Sequence, residues 1–235
     1  MKTRLNKYLA DRGVCSRRKA DEMIKNGRVF VNGARAALGI MVGEDDEIKI
    51  DNKMIVSEKP ASVYFAFHKP VGIITSVDPK ARDSVLSFLK IRERVFPIGR
   101  LDVASSGLLL LTNDGRLSER ITHPRYDHEK EYAVTVDREI RDEDLRKMSE
   151  GMVVLGSMTK QCVIKKIGKR VFNMILTEGR NRQIRRMCEG FWYEVKKLVR
   201  VRVMNIELGN LPVGACRPLT KKEINTLLRL AHGGS

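Results

Sequence analysis

The run SGLLLLTNDG, residues 106–115, limits what this chain can fold into more than any other stretch. It is too short for a globular helix with polar flanks, and its unbroken leucines predict a fully buried strand, closed by a turn at Asn113-Asp114-Gly115. A chain of 235 residues is long enough to bury such a strand in a good core. The segment just before it, VFPIGRLDVAS, places Asp102 on the loop that leads into the strand. There its position can be fixed by the core while its head group faces a cleft.

The stretches around this strand alternate between two periods. VYFAFHKPVGIITS reads as a strand running into a turn at Pro70 and Gly72, and HEKEYAVTVD as a strand with Tyr132 near its start. RDEDLRKMSEGM has helical spacing, KQCVIKKIGKRVFNMILTEG is two strands around Gly168, and residues 181–189 read as a helix. Strands interspersed with helices, without a regular βαβ rhythm, predict an α+β domain on a large, mostly antiparallel mixed sheet with a cleft. The first sixty residues read separately. RLNKYLADRG and Ser16 to Gly27 are two short helices, followed by a small antiparallel sheet with a hairpin at Asn32-Gly33. SEKPAS, residues 57–62, has the composition of a linker, so two domains are expected, residues 1–60 and 61–235.

Lys and Arg number 45 against 29 Asp and Glu, a net charge of +16, which favours a polyanionic partner such as nucleic acid. The four cysteines lie far apart, with no C-x-x-C pair and no His placed to complete a zinc site, so reduced thiols and no metal are expected. No apolar stretch approaches the roughly 20 residues of a membrane span, and the N-terminus lacks a secretory apolar core. A cytoplasmic protein without a membrane partner, working as a monomer, is the expectation.

The positive charge is clustered. Arg17, Arg18 and Lys19 fall in the first turn of the second helix, where they oppose the helix dipole, so a phosphate cradle is preferred to a solvated basic face. In EGRNRQIRRMCEGFWYEVKKLVRVRVMNIEL, Arg182, Arg185 and Arg186 are expected on one helix face, with Lys196, Lys197, Arg200 and Arg202 extending the basic surface along a strand. His68 and Lys69 sit at a turn and are given no chemistry. Without a metal cluster, a Gly-rich phosphate loop or a Ser/His/Asp set, any reaction must run on a carboxylate. Asp102 near arginines would stay ionised, able to attack or stabilise an electron-poor carbon; from the residues alone, a turn cap or a bridge to Arg is the better reading.

Two resemblances narrow this. RLNKYLADRGVCSRRKADEMIKNGRVFVNG resembles the small RNA-binding domain named after the fourth protein of the small ribosomal subunit, which implies RNA contacts by Arg4, Lys7, Arg17, Arg18 and Lys19. PIGRLDVASSGLLLLTNDG, HEKEYAVTVD and the arginine-rich segment, in this order, resemble the RsuA-type pseudouridine synthases and, among them, the RluF branch. The resemblance implies an isomerase that turns a specific uridine of large-subunit (23S) ribosomal RNA, and in some relatives a transfer RNA uridine, into pseudouridine without a cofactor. It implies Asp102 as the catalytic group, Tyr132 stacked on the flipped uracil, Arg185 paired with Asp102, and Arg100 against the RNA. A flipped base costs a few kcal/mol of stacking, which the basic surface would offset. The sequence ends soon after its last expected helix, in LTKKEINTLLRLAHGGS, without the long basic tail of some relatives. The rival reading is a non-catalytic RNA-binding or assembly factor, which would not need Asp102, Tyr132 and Arg185 together.

Overall fold

The computed structural model describes residues 2–55, 60–76, 78, 81–89 and 91–233. The chain forms two compact units, residues 1–62 and 63–235. Residues 57–59 of the expected linker lie outside the described residues.

In the first unit, β1 (Thr3–Arg4) leads into α1 (Leu5–Asp11) and α2 (Arg17–Lys25), followed by β2 (Val29–Val31), β3 (Ala34–Arg35), β4 (Met41–Val42), β5 (Ile48–Ile50) and β6 (Lys53–Met54). Ser16 caps α2 by accepting from the Lys19 N–H at 3.1 Å. The β2–β3 hairpin turns at Asn32 and Gly33, both with positive φ, the twist that two-residue loops require. Leu5, Leu9, Ala20, Ile24, Val29 and Ile48 close a core of their own.

The second unit contains β7 (Tyr64–Lys69), α3 (Val85–Phe88), β8 (Phe96–Ile98), β9 (Ser106–Thr112), α4 (Gly115–Thr122), β10 (Lys130–Val136), α5 (Asp142–Ser149), β11 (Val153–Val154) and β12 (Ser157–Met158). It continues with β13 (Val163–Gly168), β14 (Val171–Leu176), α6 (Gln183–Glu189), β15 (Val195–Val203), β16 (Ile206–Glu207), β17 (Cys216–Pro218) and α7 (Lys221–Ala231). Nine strands form one sheet in the order β13-β14-β10-β15-β9-β7-β17, with β16 beside β15 and β8 beside β9. β15 and β9 pair in parallel; the other strand pairs are antiparallel.

The leucine run is the buried strand the sequence predicts, and its alternation splits it between two cores. Leu108 and Leu110 pack with Leu117, Ile121 and Leu227 from α4 and α7, whereas Leu109 and Leu111 face Phe67, Val85 and Val95 on the other side. Each is at most 1% exposed, worth about 1.5–3 kcal/mol per side chain, so the start of β9 is held from both faces. The expected turn at Asn113-Asp114-Gly115 is instead a helix start. Asp114 accepts from the Arg116 and Leu117 N–H groups at 3.0 and 3.2 Å and caps α4. Asp and Gly serve turns and helix N-termini alike, and the apolar spacing of Leu117 and Ile121 decides between them here.

Candidate active site

Asp102 lies between β8 and β9, on a segment whose main chain is fixed at every step. The Arg100 carbonyl accepts from Arg200 Nη1 at 3.3 Å and that of Leu101 from Thr75 Oγ1 at 2.8 Å. The Asp102 carbonyl accepts from the Ser105 N–H at 3.0 Å and that of Val103 from the Gly72 N–H at 2.8 Å. Arg185 Nη2 donates to Ala104 O at 2.8 Å, and Lys69 Nζ to Ser105 O at 2.8 Å. Six consecutive carbonyls, residues 100–105, are therefore satisfied by donors from elsewhere in the unit or from the loop's own turn. The Asp102 side chain is half-buried and, among the described residues, has no hydrogen-bond or ion-pair partner. A fixed backbone carrying an uncommitted carboxylate is the arrangement a reacting group needs.

Among the described residues three cations are buried in this unit, and all three serve that segment: Lys69 at 0% exposure, Arg200 at 3% and Arg185 at 8%. Burial pulls the Lys69 ammonium down to about 8, while the Asp102 charge favours its protonated form and Arg200 opposes it. Burial likewise lowers the Arg185 guanidinium, again opposed by Asp102. Arg185 Nε and Arg200 Nη2 are buried without a protein partner, so part of each guanidinium's positive field is unspent. Electrostatically, Asp102 stands as a lone carboxylate over a desolvated cationic floor.

The structure alters several of the sequence expectations. α6 begins at Gln183, and Arg182 is its N-cap in the left-handed region at φ 52°. The three arginines therefore do not share a face: Arg182 is exposed, Arg186 is half-buried with Nε on Asn181 O at 3.1 Å, and Arg185 turns inward. Arg185 does not pair directly with Asp102. Its two terminal nitrogens are taken by Val195 O at 2.9 Å and Ala104 O at 2.8 Å, so it grips the loop of Asp102 and reaches the carboxylate through charge alone. Arg200, expected on the basic surface, is buried with Nε on Leu108 O at 2.7 Å. Arg202 is committed to Glu131 at 2.9 Å and Glu129 at 3.0 Å and to Met204 O at 2.9 Å, because β10 places two glutamates beside it.

Tyr132 stands half-buried on β10 between two of the cores. It is registered opposite Met174 on one side and Arg200 on the other, beside a β-bulge at Glu131/Tyr132. Bulges next to reactive sites re-aim side chains. Arg100, Lys196 and Lys197 are exposed. In the first unit Arg4, Arg17, Arg18 and Lys19 are exposed and Lys7 is half-buried; Lys19 meets Glu22 at 3.0 Å in a surface pair of little strength. Sequence reasoning missed Lys69 and Thr75. A Lys at the end of an alternating apolar strand, immediately before Pro70, was the available signal, since nothing there lets it turn back to water.

Known proteins give this arrangement a family. Residues 63–190 match the RNA pseudouridylate synthase family and residues 3–48 the S4 domain. The chain is 48% identical over 234 residues to the dual-specificity RNA pseudouridine synthase RluF of Salmonella typhi, covering 99% of this chain and 81% of that one. It is 40% identical to the ribosomal large subunit pseudouridine synthase B of Bacillus subtilis, over 98% of each. A crystal structure of a pseudouridylate synthase superposes with a TM-score of 0.71 at 30% identity, over 95% of this chain and 99% of that one. With the family's match covering more than half its length, the chain belongs to the RNA pseudouridylate synthases, enzymes that isomerise uridine to pseudouridine in RNA, and carries an S4 domain ahead of the catalytic unit.

Proposed function

We propose that Asp102 is the catalytic group of this isomerisation and that the substrate is a uridine of large-subunit ribosomal RNA, with a transfer RNA uridine as a second target. The observation that carries the first part is the Asp102 carboxylate itself, free of protein partners on a segment whose six carbonyls are all held. The second part rests on the names of the relatives, a dual-specificity RNA enzyme and a large-subunit enzyme. The reaction breaks the N1–C1′ glycosidic bond, turns the base and joins C5 to C1′, with the C5 proton lost and a proton gained at N1, so that the product is an isomer. The base is leaving group and returning nucleophile in turn, so the protein's tasks are to present one carboxylate, hold the detached base and keep it from water.

In this reading Tyr132, at the edge of both cores, offers its ring to the flipped uracil, and Arg185 holds the Asp102 loop while its charge faces the carboxylate. Arg100, Arg182, Arg186, Lys196 and Lys197 contact the RNA around the site, and Arg4, Lys7, Arg17, Arg18 and Lys19 bind backbone through the S4 domain. The test is to map pseudouridine in protein-free large-subunit ribosomal RNA and in total transfer RNA after incubation with the enzyme and with Asp102→Asn. The substitution removes the charge with almost no change in volume, so turnover should disappear while RNA affinity is kept. Turnover by Asp102→Asn would remove Asp102 from the reaction; modification of transfer RNA alone would remove the ribosomal target.

A further inference from the structure

Arg200 is, with Lys69, one of the buried cations that the proposed chemistry leaves unused, and its place in the fold is specific. Its main chain pairs with β9 in the parallel register Val199↔Ser106 and Arg200↔Gly107. The approach is so close that a Cβ on Gly107, which has φ +110°, would lie 2.3 Å from Arg200 O and 2.5 Å from Arg200 N. Its side chain crosses to the same segment, with Nε on Leu108 O at 2.7 Å and Nη1 on Arg100 O at 3.3 Å. On its other flank it is the cross-strand partner of Tyr132, and directly opposed residues of an antiparallel pair present their side chains to the same face. One residue thus spans the strand bearing Tyr132 and both ends of the segment bearing Asp102.

We propose that Arg200 is a positioning residue that sets the separation of Asp102 from Tyr132, and that it does not contact RNA. At 3% exposure it offers no surface to a phosphate, and its rigid guanidinium plane carries separate nitrogens to two carbonyls eight residues apart in the chain, a spread that the compact ammonium of a lysine does not reproduce. The inference rests on the reading of Asp102 and Tyr132 given above. It also accounts for Gly107: the side chain of Arg200 reaches Leu108 O because the backbones touch.

The test uses the full chain, large-subunit ribosomal RNA transcript as probe, and the variants Arg200→Lys, Gly107→Ala and Asp102→Asn. Single-turnover pseudouridine formation at saturating enzyme, RNA affinity with its salt dependence, and thermal unfolding are measured for each. Arg200→Lys keeps the charge and a hydrogen-bonding head group, so it should fold. Its rate should fall by about a hundredfold, as for a misplacement of about 1 Å, with affinity and salt slope unchanged. Gly107→Ala should lose rate in the same way if it folds; if it does not, Arg200→Lys carries the test. A wild-type rate for Arg200→Lys overturns the proposal. So does a weaker affinity with a shallower salt slope and an unchanged saturating rate, the behaviour of a phosphate contact. An active Asp102→Asn overturns the reading of Asp102 whatever Arg200→Lys does, so the two failures are distinguishable.

Discussion

Arg17 and Arg18 of the small unit and Arg185 and Arg200 of the large one have the same functional group in opposite settings. The first two stand in water on the opening turn of a helix, with no carboxylate in that turn. The second two are 8% and 3% exposed and donate to main-chain carbonyls, each giving one bond to the loop of Asp102 and one to a strand, Val195 O of β15 or Leu108 O of β9. Long-range charge draws a polyanion to both regions, but a geometric task falls only to the buried pair. A guanidinium in water is a movable point of charge, whereas one that is desolvated and doubly hydrogen-bonded is part of the frame. In the reading proposed above, arginine attracts in one place and aligns in the other.

The sharpest way to break this contrast lies within α6 and its cap. Arg185→Lys should lower the single-turnover rate by about a hundredfold, because a compact ammonium does not reproduce the planar spread of the two guanidinium nitrogens on Ala104 O and Val195 O, while Arg182→Lys should react at the wild-type rate. Equal rates for the two variants would erase the distinction between aligning and attracting arginines in the large unit. A smaller effect is expected on the outward side. Replacing Arg17 and Arg18 together by Ala should weaken RNA binding by about tenfold and reduce the salt slope by about two counterions, leaving the rate at saturating RNA alone. A loss of saturating rate would show that the S4 domain takes part in alignment.

Arg217 is an intermediate case, an arginine neutralised by an acid. Its bond to Glu223 holds that carboxyl down at about 2, and Glu223 also completes the capping box of α7 with Thr220. A lowered carboxyl contributes stability that is fully present above its unfolded value of 4.5 and disappears as pH falls toward about 2. Glu223→Gln should therefore cost about 1–2 kcal/mol in urea unfolding at pH 7, after allowance for partial solvent screening, and much less near pH 2. A cost independent of pH would assign the effect to capping alone. The smallest effect is expected at Trp192, which is 84% exposed with a left-handed φ of 65°. Trp192→Gly relieves that strain with little burial lost, and should raise stability by about 1 kcal/mol, readable as a higher thermal midpoint.

Legibility followed how local the deciding interactions are. The leucine run, the Ser16 cap and the Asn32-Gly33 turn are set by neighbours a few residues away, and each stands where the sequence puts it. α4 was not legible, because Asn113-Asp114-Gly115 serves a turn as well as a helix start. The inward turn of Arg185 was not legible either: periodicity placed it with Arg182 and Arg186, and the two-residue difference in where α6 begins was beyond what spacing resolves.

By itself the sequence determined that Asp102 would stand on a loop entering a core strand, that the protein would be basic enough to seek RNA, and that three separated motifs would resemble a pseudouridine synthase. Only the tertiary structure decided which cations stay at the surface and which bond to the chain. Arg200 lies a hundred residues from Arg100, and Lys69 thirty-six from Ser105, so their bonds exist only once β15 and β7 flank β9. A guanidinium is hydrophilic wherever it is written in the sequence; whether it is buried depends on the unpaired carbonyls that the fold brings within its reach.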